Sequence, residues 1–291
     1  MKISILILSF LAGCTIASYG QPNTAQEPLN FSRELPPIRG HYKELAALSP
    51  DPTSSHEPSD KLKFPFDQAL ADKVLRHKPF YLTNVTVDDF KLPDPPANSS
   101  VRTRAELNYL LGLQHHRTPE DIRESLYLSD HLDYFTNAGE IGRSIGYWTG
   151  PQKLPVTDSL LENLSQDATY FLWALKFKYQ RPRPYMLEPL IHDLEESHAS
   201  SYPGGHVTYA YICAFVYQEL APEFTDFFLQ KAGDMAHARE TIGVHYPSDS
   251  EASRIFARQL VNKLFLNEKF LQDFGNAKKE WLKKINENSP R

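Results

Sequence analysis

The sequence predicts a single all-α domain built around a compact helical bundle. From about residue 64 onward, apolar residues recur at the spacing of helices, no segment shows the alternating pattern of strands, and no internal repeat of fixed period is present. The chain has 291 residues, of which 41% are hydrophobic and 12% aromatic, which is enough to bury a substantial core. We therefore expect one helical domain over residues 64–291.

The individual helices follow from apolar periodicity and from start and stop signals. Thr118 followed by Pro119, for example, places a capping residue before a proline in the first helical position. The proline-rich residues 91–100 are predicted to form a loop. The predicted helices are residues 66–77, 101–116, 119–128, 130–147, 157–179, 206–220, 223–240, 249–266 and 267–285.

The N-terminus has the pattern of an export signal. In residues 1–20, Lys2 precedes an apolar run that ends in small residues and is too short for a stable transmembrane helix. Cleavage near Gly20 would release a periplasmic or secreted protein, which is the prediction that we favour. The alternative is a lipoprotein signal ending at Cys14, which would anchor the protein to a membrane through a lipid. Residues 21–63, rich in Pro, Ser, Glu and Asp, are predicted to be an extended leader.

Overall charge gives no reason to expect binding to a nucleic-acid polymer or to an anionic membrane. The net charge is −5 and the isoelectric point is near 6.1, so any anion-binding site must be a local concentration of Lys and Arg. The second cysteine, Cys213, lies in an apolar helical run and is expected to be a buried apolar residue. No disulfide is expected in the mature chain.

Two segments carry residues suited to binding an oxyanion. Lys176 and Arg183 are seven residues apart, about two helical turns, so we expect both to project from one face of a helix that the following prolines end. Further along, Gly204 and Gly205 precede His206 and an apolar helix. Glycines before a helix permit a close backbone approach, and the free N–H groups there form an anion site.

A third segment places Arg239, His245 and Asp249 within eleven residues. Arginine presents a planar fork of donors that suits phosphate, and a carboxylate beside an imidazole holds it in one tautomer. Each segment alone also fits an ordinary structural role, as a basic helix end, a glycine turn or a loop histidine. Together, their residue types, order and spacing indicate an oxyanion cage that contains two histidines.

In these three segments the chain resembles the bacterial class A nonspecific acid phosphatases, within the superfamily of type 2 phosphatidic acid phosphatases and vanadium haloperoxidases. The superfamily pattern is K-x6-R-P, then P-S-G-H, then S-R-x5-H-x3-D. The resemblance covers about residues 64–266, and the stretch 92–107 is also similar to the acid phosphatases. The residues that match the pattern are Lys176, Arg183, Pro184, Pro203, Gly205, His206, Arg239, His245 and Asp249.

Two residues depart from the family pattern. Gly204 and Ala238 stand where the family has serine, and at Gly204 a hydroxyl contact to phosphate would be missing while backbone donors remain. Arg181 lies off the family spacing, so variants of it are expected to be much milder than those of Arg183.

The resemblance implies an all-α fold of the acid phosphatase type and hydrolysis of small phosphomonoesters without metal or cofactor. His245 would attack phosphorus, Asp249 would orient it, and His206 would act first as acid and then as base. The non-bridging oxygens would be held by Lys176, Arg183, Arg239 and the backbone at Gly204 and Gly205. A homo-oligomer is left open.

Three alternatives compete with this interpretation. In a vanadate-dependent haloperoxidase, His245 would ligate vanadium in the same cage, but the short interval of 33 residues from His206 to Arg239 disfavours this. A non-catalytic phosphate-binding lipoprotein would fit Cys14 and Gly204, although both histidines are retained. A mononuclear metal site is least expected, because neighbouring Lys and Arg side chains repel cations.

Overall fold

The computed structural model describes residues 58–288, apart from the side chains at positions 133 and 134. Within this range the chain forms α-helices, two short 3-10 helices and no strand, which confirms the all-α prediction. The predicted signal peptide, Cys14 and residues 21–57 of the predicted leader lie outside the described residues.

The helices occupy most of the described range. The short 3-10 helices are Val87–Asp89 and Pro222–Phe224. The α-helices are α1 (Gln68–Val74), α2 (Val101–His116), α3 (Pro119–Asp130), α4 (Asp133–Thr136), α5 (Ala138–Ser144), α6 (Pro155–Tyr179), α7 (Pro184–Leu187), α8 (Gly205–Leu220), α9 (Thr225–Thr241), α10 (Pro247–Leu264) and α11 (Glu268–Asn288).

One predicted helix, residues 130–147, is wrong, because the chain forms the separate helices α4 and α5 there. Asn137 breaks the helix, since its side-chain oxygen accepts a hydrogen bond from the Glu140 amide and caps α5. The glycines of α5 also face close neighbours. A Cβ on Gly139 would lie 2.2 Å from the Gln152 carbonyl oxygen, so only glycine fits there. The single-turn helix α7 was not predicted.

Helix α8 lies at the centre of the bundle. It is apolar nearly all round, as expected of a helix that is buried on every side, and it packs against α9, α10 and the long helix α6. Cys213, in the middle of α8, is a free thiol and is 2% exposed, which confirms its predicted burial.

The predicted site residues lie in or next to four helix ends. These are the C-terminal ends of α6 and α9 and the N-terminal ends of α8 and α10. Because α6, α9 and α10 all pack against α8, residues distant in sequence come close together at these ends. None of the helices within residues 58–288 has the length and apolar character needed to cross a membrane.

Candidate active site

Lys176 and Arg183 are both 5% exposed, but they do not share one helical face as the sequence predicted. Helix α6 ends at Tyr179, and Gln180 takes a left-handed conformation with φ of 49°, so Arg183 lies beyond the helix in extended backbone. Lys176 donates a hydrogen bond of 2.6 Å from Nζ to the Ser200 carbonyl oxygen. The two cations therefore reach the site from a helix end and from the segment that follows it.

The hydrogen bonds of His245 define its tautomer. Nδ1 lies 3.1 Å from Oδ2 of Asp249, and Nε2 lies 3.0 Å from Nη1 of Arg183. A carboxylate only accepts and a guanidinium only donates, so Nδ1 carries the proton and the lone pair of Nε2 faces Arg183. Burial and, next, the charge of Arg183 hold the pKa of His245 well below its ordinary value. The imidazole is therefore neutral.

Local chain geometry sets the pairing of His245 with Asp249. Helix α9 ends at Thr241, and Gly243 then turns the chain with a positive φ of 79°. Pro247 opens α10, and Asp249 in its first turn accepts a hydrogen bond of 3.0 Å from the Tyr246 amide. The carboxylate thus caps α10 and contacts the imidazole just outside that helix.

Arg181 lies in the site, although sequence spacing did not predict this position for it. It is 3% exposed, and its Nη1 donates to Oδ1 of Asp249 at 2.6 Å and to Oγ of Ser248 at 2.7 Å. Its Nη2 lies 3.1 Å from Oε2 of Glu106, and its guanidinium stacks over the Tyr246 ring at 3.8 Å. No motif in the sequence marks this contact.

The environment of Asp249 keeps this carboxylate charged. Burial alone would raise the pKa of Asp249, but the Arg181 guanidinium and the contacts with His245 and Ser201 outweigh burial and hold the pKa well below its usual range. Oδ1 faces Arg181, whereas Oδ2 faces His245 and also accepts a hydrogen bond from the Ser201 hydroxyl. Asp249 is thus held from both sides.

His206 stands in the first turn of α8, directly after Gly204 and Gly205. The amides of the first turn have no acceptor within the helix, so they are the donors expected for an anion. The Gly204 amide, however, donates to Oγ of Ser253 at 2.8 Å, which is not the role that the sequence predicted for it. Burial and, next, the charge of Arg239 lower the pKa of His206 to about 4.

Ser253 occupies the space beside Gly204. Its hydroxyl contacts the Gly204 amide and lies 2.7 Å from the Asp249 carbonyl oxygen, to which it is placed to donate. The backbone of Gly204 has φ of −72°, which any residue can adopt. A Cβ there would nevertheless lie 3.2 Å from Oγ of Ser253 and 3.4 Å from Cε1 of His245, which is tight. A side chain at this position is therefore limited by packing and not by backbone strain, because Ser253 would have to shift by a few tenths of an ångström to admit it.

Arg239 is 2% exposed and is held by a carboxylate in a paired, fork-like geometry. Its Nη1 and Nη2 lie 2.6 Å and 2.7 Å from the two carboxylate oxygens of Glu195, and Nη1 also donates to Oγ of Ser129 at 2.8 Å. Burial and, to a lesser extent, the charge of Arg239 lower the pKa of Arg183 to about 10. The cations of the site therefore lie close enough to repel one another.

The structure thus brings Lys176, Arg183, Arg239, His206 and His245 into one region, most of it buried. Repulsion among buried cations is relieved by a bound anion, so the arrangement suits an oxyanion. Within residues 58–288, no group of three or more His, Cys, Asp or Glu side chains is arranged to hold a metal ion.

Comparisons with known proteins support the resemblance inferred from the motifs. Over 224 residues, 65% of this chain and 90% of the relative, the sequence is 28% identical to a non-specific acid phosphatase of Providencia stuartii. Over 186 residues, 61% of this chain and 73% of the relative, it is 27% identical to a non-specific acid phosphatase of Salmonella typhi. No family model matches the chain. These relatives confirm the similarity to acid phosphatases.

One solved structure is also similar, at a lower level. It is the crystal structure of the first transmembrane PAP2 type phosphatidylglycerolphosphate phosphatase from Bacillus subtilis, with a TM-score of 0.38 and 16% sequence identity. The match covers 60% of this chain and 87% of that one. Similarity at this level says nothing about the site.

Proposed function

We propose that this chain, an acid phosphatase of the type 2 phosphatidic acid phosphatase superfamily, hydrolyses phosphomonoesters without a metal ion, through a phosphohistidine at His245. The observation that carries the proposal is the tautomer of His245. Its Nδ1–H donates to Asp249, while its Nε2 lone pair faces the Arg183 guanidinium. A phosphoryl group that bonds to Arg183 would lie directly in front of this nucleophile.

In the first step, the lone pair of His245 Nε2 attacks phosphorus and the bond from phosphorus to the ester oxygen breaks. His206, in its protonated form, gives its proton to the leaving oxygen and becomes neutral. Asp249 stabilises the positive charge that develops on the His245 ring. Because the pKa of His206 is lowered to about 4, its protonated form is present mainly at acidic pH, which fits an acid phosphatase.

In the second step, neutral His206 takes a proton from a water molecule as the water oxygen attacks phosphorus. The bond from phosphorus to Nε2 breaks, its electron pair returns to His245, and inorganic phosphate is released. His206 is then protonated again and ready for another cycle. The same side chain thus serves first as acid and then as base.

Charge stabilisation in this proposal comes from side chains and backbone amides. Lys176, Arg183 and Arg239 would hold the non-bridging oxygens together with the Gly205 amide at the N-terminus of α8. Donors that are fixed before the reaction stabilise the transition state without reorganisation, and phosphoryl transfer depends mainly on such positioning and charge. Arg239 differs from Lys176 and Arg183 in that its terminal nitrogens bond to the Glu195 carboxylate in this structure. The Gly204 amide is assigned no contact with phosphate, because it donates to Ser253.

The decisive experiment is hydrolysis of p-nitrophenyl phosphate by the purified mature protein, with and without EDTA and with and without vanadate. We expect activity at acidic pH that persists in EDTA and is inhibited by vanadate, which resembles the five-coordinate transition state. Activity that is lost in EDTA and restored by a divalent ion would contradict the metal-free mechanism.

The same preparation separates the alternatives. Vanadate-dependent oxidation of bromide by hydrogen peroxide, in place of phosphatase activity, would favour the haloperoxidase. Binding of phosphate without turnover would favour the non-catalytic lipoprotein. Export and the fate of Cys14 stay predictions, and fractionation of cells that express the Cys14→Ser variant would test them: loss of membrane association would indicate lipidation.

A further inference from the structure

The carboxylate of Glu195 occupies Arg239 in the manner of a phosphate group. Its two oxygens lie 2.6 Å and 2.7 Å from Nη1 and Nη2 of Arg239, a paired geometry that phosphate also forms with arginine. Although burial acts in the opposite direction, the hydrogen bonds to Arg239 lower the pKa of Glu195, so the group stays charged. Both terminal nitrogens of Arg239 are therefore already bonded to an anion that belongs to the chain itself.

Glu195 reaches Arg239 from the solvent side. The Arg239 side chain is 2% exposed, whereas the Glu195 side chain is 31% exposed, and the side chain of the next residue, Glu196, is 86% exposed. Glu195 lies between α7 and α8, where the preceding residue, Leu194, is tied to the Ile242 carbonyl oxygen by a hydrogen bond of 3.0 Å. The backbone is thus anchored beside the site, while rotation of the side chain alone would move the carboxylate toward solvent.

We propose that Glu195 is an internal competitor of phosphate for the edge of Arg239 formed by Nη1 and Nη2: it must leave before a phosphoryl group can bond to both of these nitrogens, because Glu195 and Ser129 together take both hydrogens of Nη1. The inference rests on the proposed function, because it takes Arg239 as a phosphate-binding residue. When a group of the protein itself occupies a binding site, the apparent affinity for a ligand equals the intrinsic affinity multiplied by the fraction of molecules in which that group has left the site. Glu195 therefore weakens the binding of substrate and of the product phosphate, and it favours product release.

The test compares Glu195→Gln with Glu196→Gln, a matched control that removes an equal charge from the neighbouring exposed position. Calorimetry with inorganic phosphate measures affinity without turnover, and vanadate inhibition measures affinity for a transition-state analogue. We expect Glu195→Gln to bind phosphate roughly 5- to 30-fold more tightly than the wild type, because the gain equals the reciprocal of the fraction of wild-type molecules in which Glu195 has left Arg239. Glu196→Gln should bind phosphate like the wild type.

A second variant, Glu195→Asp, keeps the charge but shortens the side chain, so it should lie between the wild type and Glu195→Gln in phosphate affinity. If Glu195 instead orients Arg239 for phosphate, both variants will bind phosphate more weakly, and this inference is overturned. Equal affinity in Glu195→Gln and Glu196→Gln also overturns it, while wild-type hydrolysis would leave the proposed function intact. A wild-type protein that neither binds phosphate nor hydrolyses its esters would overturn both proposals.

Discussion

Nη1 of Arg181 lies 2.6 Å from Oδ1 of Asp249, and both side chains are fully or almost fully buried. The opposite oxygen of the same carboxylate, Oδ2, lies 3.1 Å from Nδ1 of His245. Arg181 therefore fixes the orientation of the carboxylate that fixes the imidazole. Sequence spacing led us to expect mild effects at Arg181, and this contact reverses that expectation.

We predict that Arg181→Gln lowers kcat/KM for p-nitrophenyl phosphate by roughly 10- to 100-fold, by analogy with the loss of supporting partners at metal sites. Arg181→Lys, which keeps the charge but not the fork of donors, should lose less. Without Arg181 the pKa of Asp249 rises, so activity should begin to fall at a higher pH as the solution is acidified. The pH dependence of kcat measures this shift, which a merely structural role would not produce.

The matched control for Arg181 is Lys178→Gln. Lys178 lies near the end of α6, its side chain is 46% exposed, and it bonds to Asp88 at 2.8 Å, away from Asp249. Its removal should leave kcat/KM and the pH profile unchanged. The positioning role of Arg181 would be contradicted if a folded Arg181→Gln protein had the same kcat/KM as Lys178→Gln and lost activity over the same range of acidic pH.

A second prediction concerns Gly204 and Ser253. Gly204→Ser should reduce kcat/KM, because its Cβ would lie 3.2 Å from Oγ of Ser253 and 3.4 Å from Cε1 of His245. Ser253→Ala removes the nearer atom, so the double variant should recover part of the loss, with a coupling free energy of about 0.5–3 kcal/mol. The four proteins of this cycle are compared by kcat/KM on one substrate.

Gly233→Ser serves as the control for adding a side chain, because nothing lies within 4 Å of a Cβ at Gly233 in α9. It should leave kcat/KM unchanged. Strictly additive effects of Gly204→Ser and Ser253→Ala would show that these positions do not compete for space. A gain in activity from Gly204→Ser alone would restore the sequence-based idea of a missing hydroxyl contact.

A third prediction separates the roles of the two histidines. His245→Ala should form no phosphoenzyme, since it lacks the attacking nitrogen. His206→Asn should slow both steps by roughly 100- to 10,000-fold, the usual range for general acid–base catalysis. Rapid quenching with 32P-labelled substrate in alkaline denaturant, with the exposed His198→Ala as a control, measures the bound label. Label retained by His245→Ala would overturn the assignment of the nucleophile.

A fourth prediction links His206 to the pH dependence of stability. Its pKa is about 4 in the folded chain and near 6.5 when unfolded, so the unfolded state binds the proton first as pH falls. This difference in proton binding has almost no effect on the free energy of unfolding above pH 6.5, and it lowers that free energy by up to about 3 kcal/mol at pH 4. His206→Asn should therefore lose less stability than the wild type between pH 6.5 and 4 in urea unfolding. Parallel losses in the two proteins would contradict this prediction.

The sequence by itself determined the helical class and the order of the three motifs, because both depend only on the spacing of residues that are close together in the chain. Apolar periodicity, together with the glycine and proline residues that mark helix ends, predicted α6, α8, α9 and α10 to within two residues at each end. His245 and Asp249 are only four residues apart, so their contact follows from the start of one helix. Local signals failed at residues 130–147, where the Asn137 cap and close packing at Gly139 divide the helix.

Only the tertiary structure decided which partners surround these residues. Arg181 meets Asp249 across 68 positions of sequence, Glu195 meets Arg239 across 44, and Ser253 meets Gly204 across 49. Contacts at such separations depend on how helices pack around α8, and no periodic pattern encodes them. Burial makes these contacts energetically important, because a charged group or hydroxyl that is removed from water must find its hydrogen-bond partner within the protein.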